Sequence, residues 1–99
     1  MVKHVIIWKL NETLSDSERI AAQKKIKADL EALNGKIDGL ISLEINIPDI
    51  ASSNADVMLD SSFESEEALK GYAVHPLHVA AASFVRANTQ TRLCVDYTV

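Results

Sequence analysis

Val2-Lys3-His4-Val5-Ile6-Ile7-Trp8-Lys9-Leu10 is a run of β-branched and aromatic residues with a two-residue period. Val2, His4, Ile6, Trp8 and Leu10 share one face of a strand, while Val5 and Ile7 lie between Lys3 and Lys9 on the other. A strand apolar at its centre on both faces expects cover on both sides. Helices can supply one cover; the other has to come from elsewhere.

Working outward, Asn11 to Leu14 reads as a turn, and Ser15-Asp16-Ser17-Glu18 reads as a capping box that starts a helix. Ile20, Ala22, Ile26, Leu30, Leu33 and Ile37 form its apolar stripe, and Lys24, Lys27, Asp29 and Glu31 its wet face. The helix is expected to run to about Asn34, with Gly35 at its end in a positive-φ conformation. A second strand covers Gly39 to Ile47, where Ile41, Leu43, Ile45 and Ile47 alternate with Ser42, Glu44 and Asn46. Pro48 to Asn54 is a polar loop. A third strand spans Ala55 to Phe63, with Val57, Leu59 and Phe63 on one face and Met58 on the other.

Ser65 caps a second helix whose first turn holds Glu66 and Glu67, acids that favour its positive end. Pro76 interrupts this helix, because the residue before a proline leaves the α region and proline itself suits a first helical turn. The helix therefore ends near Val74 and restarts at Pro76, with His75 at the joint, and continues to about Ala87. Gln90 to Val99 is the fourth strand, in which Leu93, Val95 and Tyr97 alternate with Arg92, Cys94 and Asp96.

The order β-α-β-β-α-β predicts a single α+β domain over residues 1–99 with a ferredoxin-like antiparallel sheet and both helical segments on one face. Right-handed crossovers place strands one and three in the centre and strands two and four at the edges. Strands one and two read as apolar on both faces, so the uncovered sheet face predicts a homodimer packed sheet to sheet as a dimeric α/β barrel.

Composition narrows the function. The chain carries a net charge of −4 and no basic stripe; Lys24, Lys25 and Lys27 read as a solvated helix face, so a nucleic-acid partner is not expected. No apolar run approaches a membrane span, the short run ending at Trp8 does not resemble a signal peptide, and the single Cys94 fits a reducing compartment. These features predict a soluble cytoplasmic protein with no membrane partner. Cys94 reads as a small strand residue and Trp8 as core or dimer packing.

The segment Gly71-Tyr72-Ala73-Val74-His75-Pro76-Leu77-His78 concentrates the polar chemistry. In the expected topology His4 on strand one and Asp96 on strand four reach the same end of the molecule as Tyr72, His75 and His78. A histidine that titrates near neutrality can take a proton, a tyrosine hydroxyl can hydrogen-bond a carbonyl becoming an enolate, and an aspartate can fix a histidine's tautomer. Two readings stay open at this point: a pocket with acid–base capability, or a structural corner in which His75 caps the second half-helix and Tyr72 is core. His75 and His78 with His4 or Cys94 could supply zinc ligands, but no spacing singles that out, and no metal is expected.

Lys3-His4-Val5-Ile6, Phe63-Glu64-Ser65, Tyr72-x-x-His75-Pro76-x-His78-Val79 and Asp96-Tyr97-Thr98 resemble the stress-responsive A/B-barrel (Dabb) family across essentially the whole chain. The resemblance implies a ferredoxin-like dimeric barrel and a stress-responsive protein with a small-molecule pocket between helices and sheet. Its members include olivetolic acid cyclase-like proteins, which close linear polyketides by aldol condensation without a cofactor. By that resemblance His78 is the base, Tyr72 the carbonyl-polarising group and His4 a pocket residue; a small hydrophobic or polyketide-like ligand follows, as does an alternative reading as a small barrel monooxygenase. Ala81 and Thr89 stand where the cyclase has bulky aromatics, so its alkyl-chain lining is not matched. Some members hold a magnesium ion through backbone oxygens near the end of the first helix.

Overall fold

The computed structural model describes all residues 1–99. Strand β1 (Val2–Leu10) is followed by helix α1 (Asp16–Glu31), strands β2 (Leu40–Asn46) and β3 (Val57–Phe63), helices α2 (Glu66–Val74) and α3 (Pro76–Asn88), and strand β4 (Thr89–Thr98). The four strands form one antiparallel sheet in the order β2-β3-β1-β4, with β1 and β3 central as the crossover rule requires.

Local chemistry sets the boundaries. The capping box is complete: Ser15 Oγ accepts from Glu18 N–H at 3.2 Å, and the Glu18 carboxylate accepts from Ser15 N–H at 2.8 Å. That bond holds the Glu18 carboxyl below its usual range. Helix α1 stops at Glu31, three residues earlier than the sequence indicates. Asn34 explains the early stop, because its amide brackets Leu43: Nδ2 donates to Leu43 O at 2.8 Å, and Leu43 N–H donates to Oδ1 at 2.9 Å. The chain is drawn onto β2, and Gly35 takes the expected positive φ of 78° within the turn.

Gly39 makes the second sharp approach. Its φ is +82°, and a Cβ there would stand 2.4 Å from Ala68 Cβ, so only glycine lets α2 sit this close to the start of β2. Strand β3 begins at Val57 rather than Ala55; just before it, Asp56 N–H donates to Trp8 O at 2.9 Å, and its carboxylate accepts from Leu10 N–H at 2.8 Å and from Arg19 at 2.9 Å.

The core lies between the sheet and the helices. Ile6, Leu10, Leu43, Ile45, Leu59 and Phe63 from the strands meet Ile26, Leu30 and Val85 from α1 and α3. Side chains of this size each contribute about 1.5–3 kcal/mol when fully buried. The opposite face of the sheet is open. Here the apolar surface comes from β1 and β4, not from β1 and β2 as expected: Leu93 is 62% exposed, Val95 56% and Tyr97 48%. They pair across the ladder with Ile7, Val5 and Lys3 respectively. Strand β2 turns Glu44 and Asn46 to that side, because Leu43 and Ile45 are taken by the core.

Candidate functional site

Pro76 organises the site. Lacking an N–H, it cannot satisfy the Tyr72 carbonyl, which takes the N–H of His75 instead at 3.1 Å. His75 adopts φ −65° and ψ 133° and becomes the N-cap of α3: its Nδ1 accepts from Leu77 N–H at 3.1 Å. In an unbroken helix that N–H would have bonded the carbonyl of Ala73. The released Ala73 carbonyl faces His78 Nδ1 at 3.2 Å. A carbonyl only accepts, so Nδ1 of His78 carries the hydrogen and Nε2 keeps its lone pair. The helix break, the His75 cap and the His78 tautomer are thus one connected arrangement. His75, expected to belong to the pocket, stays outside it because its imidazole is spent on the cap.

Tyr72 and His78 do come together. Their ring centroids are 4.1 Å apart with the planes inclined by 35°, and Phe63 packs on the tyrosine at 5.0 Å. His4 stands 6.2 Å from Tyr72 on the neighbouring strand. Between these rings, the sheet and α3 lies a cavity of about 350 Å³. Its walls are Ile6, Trp8 and Leu59 from the sheet, Leu30 from α1, and Ala82 and Val85 from α3. Trp8, read from the sequence as packing, therefore contributes to the cavity. Thr89 lines it as well, and Ala81 packs instead against the core.

Tyr72 is only 2% exposed, yet its hydroxyl has no hydrogen-bond partner within the chain. The one side-chain polar atom that is both sealed and unbonded is Asp60 Oδ1, which has the Lys3 ammonium beside it. The Tyr72 oxygen is therefore open to the cavity rather than sealed. Burial pushes its pKa well above the ordinary range, with Arg92 opposing the shift, so the hydroxyl stays protonated and remains a donor. Burial pulls His78 below its ordinary value; the Ala73 hydrogen bond opposes this, and the charges of His4, Arg86 and Arg92 add to it. The imidazole is accordingly biased to its neutral form at neutral pH. One donor and one acceptor are set side by side in a cavity of mixed polar and apolar lining.

Asp96 is across the ladder from His4, and its Oδ1 lies 2.5 Å from His4 Nδ1. A carboxylate only accepts, so Nδ1 of His4 carries the hydrogen of this bond. His4 is 9% exposed and forms a partition, lining both the Tyr72 cavity and a second one on the other side that Asp96 and Cys94 share. Burial and the adjacent Asp96 push the Cys94 thiol up, away from thiolate character.

His4 Nδ1, Cys94 Sγ and the Asp96 carboxylate lie within 4.8 Å of one another, a set that keeps His4 and Cys94 from the sequence's zinc candidates and has Asp96 in place of His75 and His78. A tetrahedral zinc would hold the nitrogen and oxygen roughly 3.3 Å apart, so the 2.5 Å contact is a hydrogen bond between ligand types and not a preformed metal cage. At the end of α1 the carbonyls of Leu30, Glu31 and Leu33 accept from Leu33, Asn34 and Lys36, and the Glu31 carboxylate accepts from Ile45 N–H and Lys27.

Sequence reasoning passed over Arg86 and Arg92, which also line the Tyr72 cavity. The available signal was the alternation of β4, which puts Arg92 on the same side as Cys94 and Asp96, the face that helices should cover.

A four-stranded antiparallel sheet with helices on one face and the other face open is a ferredoxin-like α+β fold. The stress responsive A/B barrel domain (Dabb) profile matches residues 2–99, and the chain belongs to that family. Among solved structures, a dimeric protein of unknown function with a ferredoxin-like fold from Bacteroides fragilis is 31% identical, with a TM-score of 0.93 over 99% of this chain and 95% of that one. A Dabb family protein from Mesorhizobium loti is 20% identical, with a TM-score of 0.76 over 99% and 95%. A hydroxynitrile lyase from Passiflora edulis shares the fold at 14% identity, with a TM-score of 0.78 over 99% and 92%. No curated protein matches the sequence.

Proposed function

We propose that this chain is a homodimeric small-molecule protein whose cavity accepts a carbonyl compound, with the Tyr72 hydroxyl hydrogen-bonded to the ligand's oxygen. The single observation behind this reading is the Tyr72 oxygen itself: a nearly buried hydroxyl, kept protonated, with no partner inside the chain. A hydroxyl that opens into a cavity and has no partner in the chain is free to donate to a ligand bound there. His4, steadied by Asp96, forms the wall behind it.

The dimer follows from the open sheet face. Leu93, Val95 and Tyr97 are a contiguous apolar strip that continues onto Val5 and Ile7. Relatives from Bacteroides fragilis, Thermobifida fusca and Jannaschia sp. are described as dimeric. A second copy placed on this face supplies the missing cover for β1.

The His78 tautomer favours a second reading, in which the cavity also catalyses. Nε2 of His78 is an unprotonated acceptor next to the Tyr72 donor, a pairing suited to removing a proton α to a carbonyl while the tyrosine stabilises the enolate. Ring closure of a polyketide-like substrate would use the same pair.

The two readings part on one experiment. Phenylacetone in deuterated buffer is incubated with the protein while thermal stability and α-deuteration are followed. Stabilisation of the fold with no deuteration above the buffer rate supports binding alone. Deuteration that is lost in both Tyr72→Phe and His78→Gln supports catalysis. Neither effect with any of a panel of aryl ketones would remove the carbonyl-binding reading.

A further inference from the structure

The three arginines of the chain behave differently. Arg19 is paired with Asp56 at 2.9 Å. Arg86, in the last turn of α3, and Arg92, on β4 opposite Trp8, have no carboxylate within ion-pair distance, although the protein carries a net charge of −4. Both line the Tyr72 cavity, and no aspartate or glutamate does. The cavity is thus an exception to the acidic character of the whole: its lining joins a hydrogen-bond donor and acceptor, two solvent-exposed guanidinium groups without an ion-pair partner, and an apolar wall.

We propose that the ligand of this cavity is a small oxo-carboxylic acid, its carbonyl at Tyr72 and its carboxylate held by Arg86 and Arg92. The proposal rests on the carbonyl-binding reading above and adds the ligand's charge. A guanidinium presents a planar fork that matches a carboxylate, and it stays charged at any physiological pH. The cavity of about 350 Å³ sits at the small end of ligand sites, which suits a single ring or a short branched body. Trp8, Ile6 and Val85 give that body an apolar surface to pack on. The same two charges act on the neighbouring imidazole, so an anion that neutralises them would also ease protonation of His78.

The test compares 3-benzoylpropionate with its primary amide, which keeps the ketone and the ring and removes the charge. Affinities are measured by calorimetry for the native protein and for the Arg86→Gln/Arg92→Gln double variant, with unchanged thermal stability as the folding control. Charge-assisted hydrogen bonds predict that the acid binds roughly ten- to a hundredfold tighter than the amide to the native protein, and that the double variant loses this preference while still binding the amide. Equal binding of acid and amide to the native protein overturns the anion assignment and leaves the carbonyl site standing. A preference for the acid that survives in the double variant overturns the role of the two arginines. Failure of both compounds to bind the native protein removes the anion assignment together with the carbonyl site.

Discussion

Replacing Tyr72 with phenylalanine deletes one oxygen and leaves the ring that Phe63 and His78 pack against. Because the hydroxyl makes no hydrogen bond within the chain, nothing in the fold loses a partner. The expected change in unfolding free energy is within about 0.5 kcal/mol, whereas a structural hydroxyl would cost about 1–3 kcal/mol through the group left unpaired. For a domain of this size 0.5 kcal/mol corresponds to a Tm change of roughly 2–4 °C. Tyr72→Ala is the contrast: emptying the ring's place in the core is expected to cost about 3–5 kcal/mol. Ligand binding should respond in the opposite way. Losing one hydrogen bond to a ligand carbonyl weakens affinity by about 0.5–1.5 kcal/mol, roughly two- to twelvefold. Urea unfolding gives the first quantity and calorimetric titration with 3-benzoylpropionamide the second. A phenylalanine variant destabilised by about 1.5 kcal/mol or more would show that the hydroxyl serves the fold, and unchanged affinity would show that it does not touch the ligand.

Stability should fall as the pH drops through 6.5, the ordinary value from which burial lowers His78, because the unfolded chain then takes up a proton that the folded chain resists; the loss levels off below the folded pKa. Urea midpoints at pH 7.5 and 5.0 should therefore differ less for His78→Gln than for the native protein, and equal differences would contradict a burial-depressed imidazole. His75→Ala removes the cap on Leu77 N–H and should cost about 1 kcal/mol, while His75→Asn, a good cap, should retain most of it. The same pair tests the relay to His78: nitrogen chemical shifts should report Nδ1–H in the native and asparagine proteins and a shifted tautomer in the alanine variant, and an unchanged tautomer in all three would break the link. Val95→Asp puts a charge into the apolar strip of the open face and should convert the dimer to an 11 kDa species in sedimentation; a dimer that persists would place the interface elsewhere.

Much of the fold was legible because each boundary has a local cause. The alternation in Val2–Leu10, the Ser15–Glu18 box, the Ser65 cap and the His75-Pro76 break are all decided within a few residues, and each takes its expected place. The end of α1 was misplaced because its cause is distant: Asn34 closes on Leu43, nine positions along the chain. The exposed side of β4 was missed for a related reason. Leu93, Val95 and Tyr97 form as regular an apolar set as any core face, and only the position of β4 at the sheet edge, with helices on the other side, turns them outward.

The site divides in the same way. Tyr72 and His78 were legible from their spacing around Pro76, and the pairing of His4 with Asp96 from the strand order. The route from His75 through Leu77 and Ala73 to the tautomer of His78 was not, since it depends on which acceptor each freed backbone group finds. Arg86 and Arg92 escaped because both are solvent-exposed charged residues, and only the cavity they border singles them out.

The central claim is that a carbonyl ligand sits beside Tyr72. Chemical-shift mapping with 3-benzoylpropionamide locates it directly. Shifts centred on the Trp8 indole, the Tyr72 and His78 rings and Val85 are expected. Shifts confined to Leu93, Val95 and Tyr97 on the open face, or to the separate hollow between Ile47 and Met58, would contradict it.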